Sequence, residues 1–464
     1  MHMSGWMHHT RRHLPVAVMA LALLGLSAGA SSGTTSLWPT YHLDAGRGGN
    51  DTTEPSFQTM KSSWTVGPLD GAIYAEPLVD GNDVIVATEN DSVYSLAAAS
   101  GAVVWHDRLG TPRTSNFPCG DIVPLGITGT PVIDHGSLYV LAETQTAPTT
   151  FTFRLAKITV ATGRVVYNRN VTPAGMISNT EQERSALNVS HGNVVVTWGG
   201  LSGDCGTYHG YVETVAESSG AVRAAWHDTA ADNQGGIWGP SGPAVDAGGN
   251  IFLTTGNGSS TTVTQYDYGD SVLDFSPSLV LHSFFAPGPP QQWASLNADD
   301  ADLASIGPSL LAGGLIFAIG KGGRGYLLSQ GGLPSDSNPG GGENFSAQVC
   351  HQTSGAAFGG LAVSAATVFV PCADGIVAVL IDSATAFHVV WYSSTASGPP
   401  IVAGGLVWSA SVFGGTTLYG LNPATGATTV QLHLPRTTEH FATPASGDGK
   451  LFIGDGSDVE AFGP

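Results

Sequence analysis

Lysine is almost missing from this chain: Lys61, Lys157, Lys321 and Lys450 are the only four in 464 residues. Charged residues of both signs make up only 11%, and the formal net charge is −20. No basic stripe can be drawn, and a surface this acidic repels phosphate backbones and anionic membranes, which excludes nucleic-acid binding. Apolar runs are short as well. The longest, Leu14–Leu26, is too short to span a bilayer, and no later segment does better. There is no GxSxG, HExxH or P-loop, and the GxGxxG-like fragments do not lie between a strand and a long helix, so no nucleotide is expected. The four cysteines form no CxxC or CxxCH, which leaves zinc and covalent haem without ligands.

The first thirty residues carry Arg11, Arg12 and no acid, then the apolar run, then "AGA" at Ala28–Ala30. This is the pattern of an export signal cleaved near Ala30, so residues 1–30 are expected to be removed and the remainder secreted, with no membrane insertion. Their loss moves the net charge from −20 to −22. Export makes Cys119, Cys205, Cys350 and Cys372 candidates for disulfides, in any of three pairings.

Glycine, by contrast, is abundant at 63 residues, and it punctuates a recurring sentence. "EPLVDGNDVIVATENDSVYSLAAASGAVVW" (Glu76–Trp105) gives an apolar strand, a turn, a β-branched strand, a polar loop, a third strand and "ASGAVVW". Further copies open at Pro131, Pro243, Pro308, Pro400 and Pro444, with spacings from Pro77 of 54, 112, 65, 92 and 44. The two wide gaps each hide a copy without the proline, at Asn188 and Gly360. Eight units result, each near the ~40–50 residues of a four-stranded propeller blade. The eighth stops at "VEAFGP", one strand short, and "FQTMKSSWTVG" (Phe57–Gly67) can supply it, with Trp64 in the place of Trp105. The expected fold is therefore all-β: an eight-bladed β-propeller of four-stranded antiparallel blades, closed by pairing N- and C-terminal strands. Residues 31–56 are expected to form an N-terminal extension and 57–464 a single propeller.

The ends of the units, "AASGAVVW", "VATGRVVY", "ESSGAVRAAW" and "PATGATTV", resemble the AxTGxxxW-like motif of the pyrroloquinoline-quinone (PQQ)-type propeller repeats. These occur in quinoprotein alcohol dehydrogenases and in non-enzymatic relatives. The resemblance runs from Ser36 to Pro464 and implies that the aromatic residue packs between blades. Within a blade, the link into the first strand and the loop after the second emerge on one face, the face those dehydrogenases use for the quinone.

On that face the resemblance places Trp238 as the platform under the quinone ring, Asn257 of "TGNG" as a calcium ligand and Lys321 of "KGG" at the quinone carbonyls. Three departures stand against it. The expected calcium-binding glutamate falls at Cys205, leaving the neighbouring Asp204. No two cysteines are adjacent. The "WD" aspartate is replaced by Trp293-Ala294, so a catalytic base must come from Asp299, Asp300 or Asp302. Arg113, Arg184 and Arg324 are the other cations in the face-forming stretches, and a tricarboxylate needs them. Position in the blades pairs Cys119 with Cys205 and Cys350 with Cys372. Two readings stay open: a secreted protein holding PQQ with calcium and having weak or no alcohol or sugar dehydrogenase activity, and a non-catalytic scaffold for an extracellular protein or glycan.

Overall fold

The computed structural model describes residues 36–228, 233–334 and 339–464. The export segment expected at 1–30 lies outside the described residues. Ser36–Pro464 form one compact unit of eight antiparallel sheets. Their first strands begin at Leu78, Val132, Asn188, Ala244, Ser309, Ala362, Ile401 and Ala445, which are the eight copies read from the sequence. The first three strands of each blade are mostly buried, because both faces pack on neighbouring blades. The fourth strand is more open; in Val103–Arg108 two exposed valines are followed by alternating half-buried and exposed residues. In seven blades the pairing of third and fourth strands shifts register, for example between Ser95 and Leu96, and this bulge bends the outer edge.

The repeat motif does the work of seating that edge. Trp64 donates its indole N–H to Ala98 O (3.0 Å) of the next blade, and its ring lies flat against Gly101. Gly101 has φ +72°, and a Cβ there would come within 2.7 Å of the Trp64 ring, so both turn and packing demand glycine. Trp105 repeats the contact on Val160 O (2.7 Å) and Trp391 on Pro423 O (2.9 Å).

Closure follows the expected route. Lys61–Val66 pairs with Asp458–Gly463, from Lys61 opposite Gly463 to Val66 opposite Val459, and leaves the last blade no free outer edge. The disulfides are Cys119–Cys205 and Cys350–Cys372.

The extension does more than precede the ring. Leu37–Trp38 adds a strand to blade 1, and Asn50–Asp51 pairs in parallel with the first strand of blade 7. Between them the chain bonds the first strands of successive blades. Pro39 O accepts from Ile133 N (2.7 Å), Ala45 O from Asn188 Nδ2 (2.9 Å) and Val245 N (2.7 Å), and Gly46 O from Leu310 N (2.9 Å). Gly48 O then accepts from Val363 N (2.7 Å), Gly49 O from Val402 N (2.8 Å), and Asp51 Oδ2 from Ser446 Oγ (2.9 Å). Every blade is touched. Arg47 is fully buried at the centre, donating to Thr40 Oγ1 and to the carbonyls of Tyr41, Ala186, Leu187 and Pro243. These contacts cluster at the hairpin-turn end of the blades and leave the opposite face for a site.

Candidate functional site

The links into the blades and the loops after their second strands meet at that opposite face around a cavity of about 420 Å³. The stretch from Gly235 to Gly258 builds one wall. Gly235 N donates to Asn257 O (2.8 Å) and Gly256 N to Gly236 O (2.9 Å), so link and loop are zipped together with Trp238 projecting beside them. Gly256 has to be glycine, since a Cβ there would fall 2.3 Å from Asp302 Oδ1.

Asp302 is only 3% exposed. Its Oδ1 accepts from Asn257 N (2.6 Å), and its Oδ2 lies 2.5 Å from Lys321 Nζ. Lys321 Nζ also donates to Asp300 Oδ1 (2.7 Å), at the cavity mouth. Burial disfavours the ammonium, but Asp302 and Asp300 outweigh it, and Lys321 sits above its ordinary pKa. Below, burial and the Asp302 charge push the Asp270 carboxyl well up; it accepts from Leu303 N (2.7 Å) through one oxygen only.

Two cations approach the indole of Trp238: Lys321 Nζ at 5.4 Å and Arg184 Cζ at 5.6 Å from the ring centroid. Arg184 also lies 5.1 Å from the Phe441 ring and donates from Nη2 to His440 Nε2 (2.7 Å). Phe358 packs on Phe441 (5.7 Å) and Phe413 (5.4 Å), giving the cavity an aromatic side opposite its charged one. Asp204 lines it too, accepting from Tyr208 Oη (2.6 Å), in a loop pinned by Cys119–Cys205.

Of the residues singled out in the sequence, Trp238, Lys321, Arg184, Asp204, Asp300 and Asp302 therefore share one cavity. The others do not line it. Arg113 is turned inward to Glu143 Oε1 (3.2 Å) and the carbonyls of Asn116 and Asn179, between the rings of Phe117 and Phe151. Arg324 is held on its strand by Ser346 (3.0 Å to Oγ). Asp299 caps the short helix Trp293–Ala298. Asn257 is buried and contributes its backbone N–H to Asp302. The sequence reading missed Phe358, Phe413, His440 and Phe441. They stand in the links and loops of blades 6 to 8, where the positional rule used for the earlier blades also finds them.

A family model described as outer membrane protein assembly factor BamB matches residues 56–271. The chain is an eight-bladed propeller, and over those residues it resembles the PQQ-type repeat propellers. Its fold is similar to that of quinohemoprotein alcohol dehydrogenase from Comamonas testosteroni (14% identity, 92% of this chain and 80% of that one, TM-score 0.67). It is similar also to a europium-containing methanol dehydrogenase (12%, 93% and 99%, TM-score 0.67). BamB from Moraxella catarrhalis aligns less closely (13%, 88% and 98%, TM-score 0.56). No curated protein matches this chain in sequence. Among its described residues no helix is long and apolar enough to cross a membrane.

Proposed function

We propose that this propeller binds a planar, carboxylate-bearing quinone of the PQQ class in the cavity and has weak or no alcohol or sugar dehydrogenase activity. The presence of both Lys321 and Arg184 within 6 Å of the Trp238 ring carries the reading. An indole offers a stacking surface worth ~0.5–1.5 kcal/mol, and two cations at its rim select anionic ring substituents. A cavity of about 420 Å³ falls within the ~300–1,000 Å³ usual for small-molecule sites.

The residues fit the quinone better than they fit calcium. A hard divalent ion takes about six to eight oxygen ligands. Here Asp302 already receives an amide and an ammonium, and Asp204 receives the Tyr208 hydroxyl. Among the described residues no group of three His, Cys, Asp or Glu is gathered for a metal. The same ion pair weakens the candidate bases. Removing a proton from an alcohol calls for a free carboxylate, and both Asp300 and Asp302 are engaged by the one ammonium of Lys321.

Export supports the location: an N-terminal signal-like segment and two disulfides are what a secreted protein carries. One observation favours the scaffold reading. Phe413 is 63% exposed beside Phe358, an apolar rim that suits a protein partner. Titration with PQQ, followed by assay with primary alcohols and an artificial electron acceptor, tests both halves of the proposal. Saturable binding without turnover is expected; absence of binding leaves the scaffold, and brisk turnover refutes the assignment of the acids.

A further inference from the structure

Arg184 is a cation without an anion. Among the described residues no carboxylate lies within ion-pair distance of it, and its Nε is buried without a partner. The one side chain it bonds is His440, through Nη2 to Nε2 at 2.7 Å. A guanidinium only donates, so Nε2 must present its lone pair, and the imidazole is neutral with its proton on Nδ1. A half-buried charge satisfied by so weak an acceptor is poised to take an anion.

We propose that Arg184 and His440 form a proton-linked clamp for one carboxylate of the ligand: the anion bonds Arg184, and His440 takes up a proton from solvent to become its second donor. The proposal rests on the reading that the cavity takes a planar polycarboxylate. In the bound state one carboxylate oxygen accepts from Nη2 of Arg184 and the other from Nε2–H of His440. The Arg184–His440 bond breaks, two charge-assisted bonds form, and one solvent proton ends on Nε2. A carboxylate has lone pairs enough for both donors.

The surroundings of the imidazole explain why the proton waits for the anion. His440 meets Tyr74 edge-on at 4.9 Å and Phe441 at 4.7 Å, with Glu439 beside it in the chain. Asp121, from the link into blade 2, lines the same cavity and is exposed. Glu89 lies deeper, already bonded to Gly126 N and Thr128 Oγ1. Burial, and then the charge of Arg184, hold the His440 pKa down to about 4, against a smaller upward pull from Asp121. An anion on Arg184 cancels the repulsion and supplies an acceptor for imidazolium. The pKa of His440 is thus higher in the complex than in the free protein. Between the two values binding takes up one proton and tightens as pH falls, by up to ~10-fold per unit; below about 4 the gain ends.

The test is isothermal calorimetry of the full mature protein between pH 5 and 7, in two buffers of different ionisation enthalpy. PQQ and benzene-1,3,5-tricarboxylate serve as probes. Net proton uptake is expected for both, and its loss in His440→Gln, whose amide oxygen still accepts from Arg184. Without any ligand, the ring-proton NMR signal of His440 should titrate near pH 4 in the wild type and move up in Arg184→Gln. If PQQ fails to bind while the tricarboxylate binds with proton uptake, the quinone reading falls and the clamp stands. Binding of either probe without uptake, or uptake that persists in His440→Gln, overturns the clamp alone. Failure of both probes to bind overturns both.

Discussion

Lys321 Nζ lies 2.5 Å from Asp302 Oδ2, on a carboxylate whose other oxygen is held by the amide of Asn257. The ammonium is thereby fixed beside Trp238, and the acid is fixed as a structural anion. Removing the lysine leaves a buried carboxylate with one donor. Lys321→Ala is therefore expected to destabilise the fold by ~3 kcal/mol, the scale of breaking a buried pair from one side. Urea denaturation monitored by tryptophan fluorescence reads this directly; an unchanged midpoint would show the pair to be superficial.

Trp238 has two cations close to its ring and makes no side-chain hydrogen bond that its loss would orphan. Trp238→Ala should fold and should weaken PQQ binding by ~1 kcal/mol or more, the scale of one aromatic stacking contact. Equal affinity of variant and wild type would place the ligand elsewhere.

The ring depends on its N-terminal strands both at one face and at the outer edge of the last blade. Trp38 Nε1 and the His42 amide donate to Glu76, whose carboxyl is fully enclosed and pushed up by burial. A protein beginning at residue 57 keeps the closing strand but leaves Glu76 without these donors, and it should melt at a lower temperature than one beginning at residue 31. A protein beginning at residue 68 also loses Lys61–Val66 and exposes the edge of the last blade; it should lose cooperative unfolding. A melt like that of the longer form would mean that closure adds nothing.

Stability should fall as the solution becomes alkaline. Burial, then repulsion from Glu89 and Glu143, raises the Asp91 carboxyl to about 8, and burial raises Glu89 to about 7. Unfolded, both release their protons near pH 4. Between those limits the folded state binds more protons than the unfolded one, so unfolding free energy decreases with pH, by ~1.4 kcal/mol per unit for each group. The stabilisation is complete below about pH 4 for these groups and is lost as pH rises through 7 to 8. Thermal midpoints at pH 5 and pH 9 check the sign, and Asp91→Asn should flatten the slope.

The blades were legible in the sequence because their signals are local. An apolar strand, a glycine turn and the AxTG ending each act within ten residues, and Gly101 and Trp64 meet through that ending alone. The wrapping of Ser36–Asp51 was not legible, since it spends one or two hydrogen bonds on each blade and forms no strand long enough to show a period. The site was half legible. Arg113 and Arg184 occupy equivalent links, but the long second strand of blade 2, Ser137–Ala147, brings Glu143 to Arg113 and turns it away from the cavity. His440 carries no motif; only its contact with Arg184 reveals it.

The most direct measurement is a titration of the protein with PQQ, followed by quenching of tryptophan fluorescence, once with calcium and once with a chelator. The account predicts saturable quenching with the same midpoint in both, because Lys321 already supplies the positive charge that Asp300 and Asp302 hold. No saturable quenching, or binding that requires calcium, would contradict it.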